Sequence, residues 1–234
     1  MKKMVDAIAN FACPVKRMRS DGAEAKCRLL DAALVLFSQH GFAKTSTREI
    51  AQAAQVNIAS ISYYFGDKAG LYRAVLTDPR CNPGPKGADL AALEGTLGDL
   101  LKALLFGFTE PLKQGERLRH SMRLIFREML EPTDVWQGLI DDDIRPGHKA
   151  MVTVLMRHFG LTQEDDDLHR LAFSISSLGM MLHVGSDVLS ALRPGLLASP
   201  AAIDLYAQRL VGYAQAMVAH EVQRRRTTPQ LPHR

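Results

Sequence analysis

The 234-residue sequence is poor in aromatics and in cysteine, with Phe, Trp and Tyr at 6% and three Cys. Most of its apolar mass is Leu, Ala and Met. Unbranched side chains lose little rotamer freedom in a helix, so this balance favours an all-α fold over a β-sandwich. No run of about eighteen apolar residues is present, which excludes a membrane-spanning helix. Cys13, Cys27 and Cys81 share no metal-binding or redox spacing, so reduced thiols in a cytoplasm fit better than a disulfide framework. The lysines and apolar residues of the first fifteen positions superficially suggest a signal peptide. Asp6 and Asn10 interrupt that stretch, and Pro14-Val15-Lys16-Arg17 is a poor cleavage site. Catalytic signatures are missing too. Ser174, Ser176 and Ser177 lie in no nucleophile elbow, and there is no Gly-rich phosphate loop, so neither an enzyme nor a cofactor is expected.

What is present is an ordinary folded composition, 47% hydrophobic and 23% charged. The net charge of +4 is unevenly spread. Residues 1–80 hold twelve Lys and Arg against seven Asp and Glu, and the rest of the chain holds seventeen against eighteen. A polyanion, if one is bound, would meet the first third.

Residues 1–20 read as a flexible extension whose Lys16, Arg17 and Arg19 could reach a DNA groove. The first clear pattern is a helix from Asp21 to His40, apolar at Leu29, Leu30, Ala33, Leu34 and Phe37 and stopped by Gly41. Short helices follow over Arg48–Ala54 and Ile58–Tyr64, and Asp67 caps a fourth running to Thr77. Three prolines and a glycine between Asp78 and Pro85 mark a linker. Longer helical patterns then cover about 88–110, 116–131, 134–143, 146–159, 164–190 and 200–226, before a flexible tail over 227–234. The expected domains are 21–80 and 87–226.

Two short helices joined by a tight turn and braced by a longer one make a helix-turn-helix. In the second short helix, Ile58, Ile61 and Phe65 fall at inward spacing, while Ala59, Ser62 and Tyr63 fall on the outer side. Small, hydroxyl-bearing and aromatic groups on that side suit approach to DNA.

The residues themselves are more specific than the pattern. Leu29-Leu30-Asp31-Ala32-Ala33-Leu34-Val35-Leu36-Phe37-Ser38-Gln39-His40-Gly41-Phe42, then Thr45-Ser46-Thr47-Arg48-Glu49-Ile50-Ala51, then Ser62-Tyr63-Tyr64-Phe65-Gly66-Asp67-Lys68-Ala69-Gly70-Leu71-Tyr72 resemble the N-terminal domain of TetR-family repressors. Arg127-Glu128-Met129-Leu130-Glu131-Pro132-Thr133 resembles a CecR-type C-terminal domain. The resemblance implies a homodimer on a pseudo-palindromic double-stranded DNA operator, released by a small-molecule effector. It implies that Thr47 and Lys68 hold phosphates, and that Asn57, Ala59, Ser60, Ser62, Tyr63 and Tyr64 meet the operator. Thr47 could instead be only a cap, Tyr64 could pack sideways, and Asn57 could simply start its helix. Gln55 stands where the family's turn usually has Gly, which implies a left-handed residue at a cost of about 1 kcal/mol. Ile58 stands in place of a frequent Lys, and Ser62 in place of a frequent Tyr.

In the second domain, Met-rich and aromatic helices suit a cavity for an apolar or amphipathic ligand. The candidate lining is Phe106, Met122, Phe126, Trp136, Met151, Leu155, Phe159, Phe173, Met180 and His183, although most could be plain core and His183 a satisfied core histidine. Leu171, Ile175, Leu178 and Leu182, with Ile203, Tyr206, Leu210, Tyr213 and Met217, recur at three- and four-residue steps that want a partner helix. The resemblance makes them a dimer interface, while packing within one subunit would satisfy the same spacing. The acidic runs Asp141–Asp143 and Glu164–Asp167 have no His at ligand spacing and read as solvated surface, so no metal is expected. An effector-independent dimeric DNA-binding or architectural protein is the rival reading.

Overall fold

The computed structural model describes residues 20–80 and 95–227. The expected N-terminal extension, residues 81–85 of the linker and the tail from residue 228 lie outside them. In chain order the helices are α1 (Ser20–Lys44), α2 (Thr47–Ala54), α3 (Ala59–Phe65), α4 (Lys68–Leu76), α5 (Leu97–Lys113), α6 (Glu116–Leu130) and α7 (Trp136–Leu139). They continue with α8 (Arg145–Phe159), α9 (Asp166–Val184), α10 (Ser186–Leu192) and α11 (Pro200–Thr227). The described residues contain no strand, and the fold is all-α. They pack as two units, one of residues 20–80 with 114–135, the other of 95–113 with 136–227.

In the first unit α1 is the central element. Leu29 and the whole run Ala32–Ser38 are buried, more than the one face its spacing suggests, because α2, α3, α4 and α6 all pack on it. Gly41, at φ 82°, breaks α1 before its last turn. Ser46 and Glu49 then form a reciprocal capping box that starts α2. The two hydrogen bonds from Ser46 hold the Glu49 carboxyl below the usual range. Gln55 does take the left-handed conformation, at φ 55° and ψ 47°. Asp67 caps α4 by accepting the Gly70 N–H at 2.7 Å. A side chain at Gly70 would strike the Phe65 carbonyl, so the α3–α4 corner requires a glycine there.

The sequence boundary assigned α6 to the second domain, yet it packs with the first unit through a row of polar contacts. Arg117 pairs with buried Asp31 at 2.7 Å. Ser38 Oγ donates to the Val35 carbonyl, so its lone pairs accept the His120 Nδ1–H at 2.7 Å. Arg127 donates to the Gln39 carbonyl, and Tyr72 donates to the fully buried Glu128, which also accepts both donors of Thr133. Periodicity shows that α6 has a buried face but not which helix it faces. Cys27 is disulfide-bonded, which departs from the expectation of reduced thiols. Cysteine spacing along a chain does not say which thiols meet in space.

In the second unit, α5, α8, α9 and α11 enclose a core that includes Leu101, Leu105, Leu155, Leu168, Ile175 and Leu210. Gly179 lets the Phe108 ring come so near that a Cβ would lie 2.4 Å from it. Two expected boundaries differ. Pro146 does not separate two helices: a π turn over Ile140–Ile144 carries α7 into α8, and the Arg145 N–H reaches back to the Ile140 carbonyl. The expected helix 164–190 is broken at Gly185 into α9 and α10. No single described helix is long and apolar enough to cross a membrane.

Candidate nucleic-acid interface and ligand cavity

The helix-turn-helix of the first unit is built by α2, the Gln55 turn and α3. Asn57 Oδ1 accepts the Ala59 N–H at 2.9 Å, a short turn that starts α3. Ile61 is buried against the unit, and Phe65 is half-buried. Ile58, expected inward, is 48% exposed. It sits on the corner just ahead of the first helical turn, where three- and four-residue spacing does not yet govern direction. Ala59, Ser62 and Tyr63 are outward as expected, with Tyr63 81% exposed.

The other expected DNA contacts divide. Asn57 is exposed, and Ser60 is half-buried. Tyr64 leans toward α1: its hydroxyl is where a side chain at Gly22 would meet it at 3.0 Å, and its ring packs between Tyr63 and Phe65. That sideways packing directs it off the face shared by Tyr63 and Ser62. Thr47 is the first residue of α2 but not its cap, a role Ser46 takes. Lys68 opens α4 with its ammonium 4.4 Å from the Phe42 ring centre, a cation–π contact that holds the charge at a helix N-terminus. Sequence reasoning missed exposed Arg48, beside Thr47 at the same helix start, although its charge next to the capping box was a usable signal.

In the second unit a cavity of about 550 Å³ opens where the start of α5 meets the ends of α8 and α11. Its apolar lining is Leu97, Leu101, Val218, Ala219 and Val222, and its polar lining is Thr96, His158, Gln215, Gln223 and Arg226. None of the ten expected ligand-contacting side chains lines it. Met122 and Phe126 belong to α6 in the first unit. Met151 and Leu155 are 3% and 0% exposed, within the core. Phe106 and Phe159 are half-buried against that core, as are Trp136 and Met180 in their own surroundings. Phe173 is 62% exposed and stacks on His148 at the surface. His183 donates from Nε2 to the Phe108 carbonyl at 2.6 Å, the satisfied core histidine, and burial lowers its pKa. The sequence signalled bulky side chains but not a gap between them.

The expected dimer stripe is largely covered within the single chain. Leu171, Ile175, Leu182, Ile203 and Leu210 are at most 8% exposed within a single chain, while Leu178, Tyr206 and Met217 are half-buried, so they pack inside the subunit. Tyr213 alone of the nine stays outward, at 56%. The acidic runs form ion pairs. Asp165 caps α9 and binds Arg225, which with the cap lowers its pKa to about 2. Asp167 pairs with Arg224, and Asp141 with Arg145. No group of three or more metal-ligating side chains occurs among the described residues.

Residues 29–75 match the family model described as bacterial regulatory proteins, tetR family. Residues 97–220, more than half the chain, match that of the C-terminal domain of the HTH-type transcriptional dual regulator CecR. The chain belongs to the TetR family. It is 39% identical over 101 residues to the uncharacterized HTH-type transcriptional regulator YvkB of Bacillus subtilis, covering 43% of this chain and 50% of that one. It is 29% identical over 159 residues to CecR of Shigella flexneri, covering 63% and 70%. The chain spans about half the length of curated relatives such as YvkB. Among solved structures, a regulator from Saccharomonospora viridis in complex with choline has a TM-score of 0.58 at 19% identity, over 82% of this chain and 96% of that one. The SmeT–triclosan complex has a TM-score of 0.55 at 23% identity, over 79% and 90%. At such identities the likeness concerns the fold.

Proposed function

We propose that this TetR-family regulator is a homodimeric repressor that binds a pseudo-palindromic operator and releases it when a small amphipathic ligand occupies the second unit. The observation that carries the reading is the outward face of α3, where Ala59, Ser62 and Tyr63 stand exposed between two helix starts bearing Arg48 and Lys68. Helix starts take phosphates, and the helix between them enters the major groove. Because the buried stripe is spent within the subunit, the dimer surface is assigned to exposed Phe173, Met181 and Val184 of α9 with Leu205 and Tyr213 of α11.

The effector site is assigned to the 550 Å³ cavity, whose apolar lining and cation Arg226 suit an amphipathic acid. The choline and triclosan complexes of the structural neighbours support a small-molecule effector of this general size. Ligand acts only if it binds the operator-competent and operator-incompetent dimers unequally, and a typical coupling of about 1–3 kcal/mol changes operator affinity roughly 5- to 150-fold. A second reading, an effector-independent DNA-binding dimer, is favoured by the closed packing of Met151 and Leu155 where a ligand was expected. The deciding experiment enriches bound duplexes from a random pool, then titrates the enriched DNA with and without a panel of aromatic and aliphatic acids. Enrichment of a two-half-site sequence with ligand-dependent release supports the first reading; enrichment with no release by any ligand supports the second.

A further inference from the structure

From Ile50 to Gly66 the chain has no Lys, Arg, His, Asp or Glu, so α3 and the turn before it present an uncharged surface. The bidentate Arg or Lys contact to guanine is therefore absent from this helix. Of the two amides in the turn before α3, Gln55 and Asn57, the one adjoining the helix is Asn57, whose Oδ1 is engaged by the Ala59 N–H, and that oxygen is the atom a bidentate adenine contact requires. Beside Asn57, at the end of the helix that meets base edges, stand Ile58 at 48% exposure and exposed Ala59. An exposed isoleucine beside an alanine offers only apolar surface. Among base edges in the major groove the apolar group is the C5-methyl of thymine.

We infer that Ile58, supported by Ala59, is a specificity-determining residue that reads a thymine methyl in each operator half-site. The inference rests on the operator-binding reading and specifies what that helix recognises. It also accounts for an isoleucine left in water on a corner where a polar residue would fit the free protein better.

The test uses the full chain and duplex DNA enriched from a random pool. Each thymine of the enriched sequence is replaced in turn by deoxyuridine, which removes the methyl and keeps the base pair. One position in each half-site loses affinity about fourfold per methyl, the effect of leaving about one buried methyl group unmade. Ile58→Ala binds the thymine and deoxyuridine duplexes alike, and Ile58→Val retains part of the discrimination. Because Ile58 is exposed, these variants should keep the wild-type melting temperature. Indifference of the wild-type protein to every replacement overturns the inference. So does an equal loss in wild type and Ile58→Ala, which places the methyl contact elsewhere. Failure to enrich any sequence defeats the operator-binding reading itself, whereas enrichment followed by indifference to the methyl defeats only the role of Ile58.

Discussion

The two units hold their helices together by different means. In the first, polar groups cross from helix to helix in buried positions: Asp31 to Arg117, Ser38 to His120 and Tyr72 to Glu128. In the second, apart from the His183 hydrogen bond to the Phe108 carbonyl, the helices meet mainly through Leu, Ile, Val, Met and Ala, and the ion pairs sit at helix ends, as with Lys113–Asp204 and Arg225–Asp165. Apolar contacts have no preferred direction, so helices joined by them can shift and repack. Buried polar pairs have a narrow geometry and are expensive to leave unmade. α6 is thus fixed in register against α1 and α4, although its chain neighbours on both sides, α5 and α7, belong to the other unit.

The largest expected effect comes from breaking a buried pair in the first unit. Asp31→Ala removes the buried carboxylate shared by Arg117 and Arg80 and should destabilise the protein by about 3–5 kcal/mol, the range for removing one partner of a buried ion pair. Urea unfolding measures it. A loss below about 1 kcal/mol would show that water relieves Arg117 and that α6 is not held by polarity. In the second unit, Ile175→Ala removes only apolar atoms and should cost about 2–5 kcal/mol by cavity formation. This variant also sharpens the dimer assignment. Ile175→Ala should lower stability and leave the oligomeric state intact, whereas Tyr213→Glu should do the reverse, as read by light scattering.

The same contrast explains what the sequence made legible. The helix-turn-helix could be placed because its punctuation is local: the Ser46–Glu49 capping box, the Gln55 turn and the Asp67 cap each act within four residues. The second unit has few such markers. Its periodic stripes at Ile175 and Leu210 report burial truly, but burial inside one subunit and burial between two demand the same spacing. The partners of α6 escaped for another reason. His120, Arg117 and Glu128 are polar residues on a helix face, and only contacts some 56 to 86 residues away in the chain turn them inward. The cavity escaped because most of its lining is Leu, Val, Ala, Gly and Gln, and its conspicuous members, His158 and Arg226, lie on separate helices with no motif to join them.

An intermediate effect is expected at Tyr72, whose hydroxyl pKa is pushed far above its usual value by burial and by donation to Glu128. Tyr72→Phe keeps the edge-on packing against Phe37 and Phe42 but leaves a buried carboxylate one donor short. The cost should be about 1.5–3 kcal/mol, that of a hydrogen bond to a charged group. If Tyr72→Phe is neutral, the Thr133 donors alone satisfy Glu128.

Acid tests both units at once. His120 in the first, and His148 and His183 in the second, have pKa values lowered chiefly by burial. His148 also faces His169, its Nε2 2.8 Å from the partner's Nδ1, with Glu164 opposing the shift. A histidine held neutral in the fold binds fewer protons than in the unfolded chain. Its stabilisation is therefore complete above the ordinary pKa of about 6.5 and is lost as pH falls toward the folded value. Melting temperature should fall as pH drops below about 6.5, and His120→Gln should reduce the slope. A melting temperature constant between pH 7 and 5 would contradict this.

The smallest effect belongs to the ends of the second unit. Arg224 bridges Asp167 and Glu221, and its side chain is 37% exposed. Water screens such a pair, and holding two long side chains in one geometry costs entropy, so Arg224→Ala should lose only about 0.2–1 kcal/mol. The loss should shrink further at 1 M salt, where the Debye length falls to about 3 Å. Asp31→Ala provides the control, because the pair it breaks is shielded from solvent and its effect should persist at the same salt concentration. A loss at Arg224 that exceeds about 2 kcal/mol and resists salt would mean that the α9–α11 end is locked by charge as firmly as α6 is locked to α1, and the contrast between the two units would disappear.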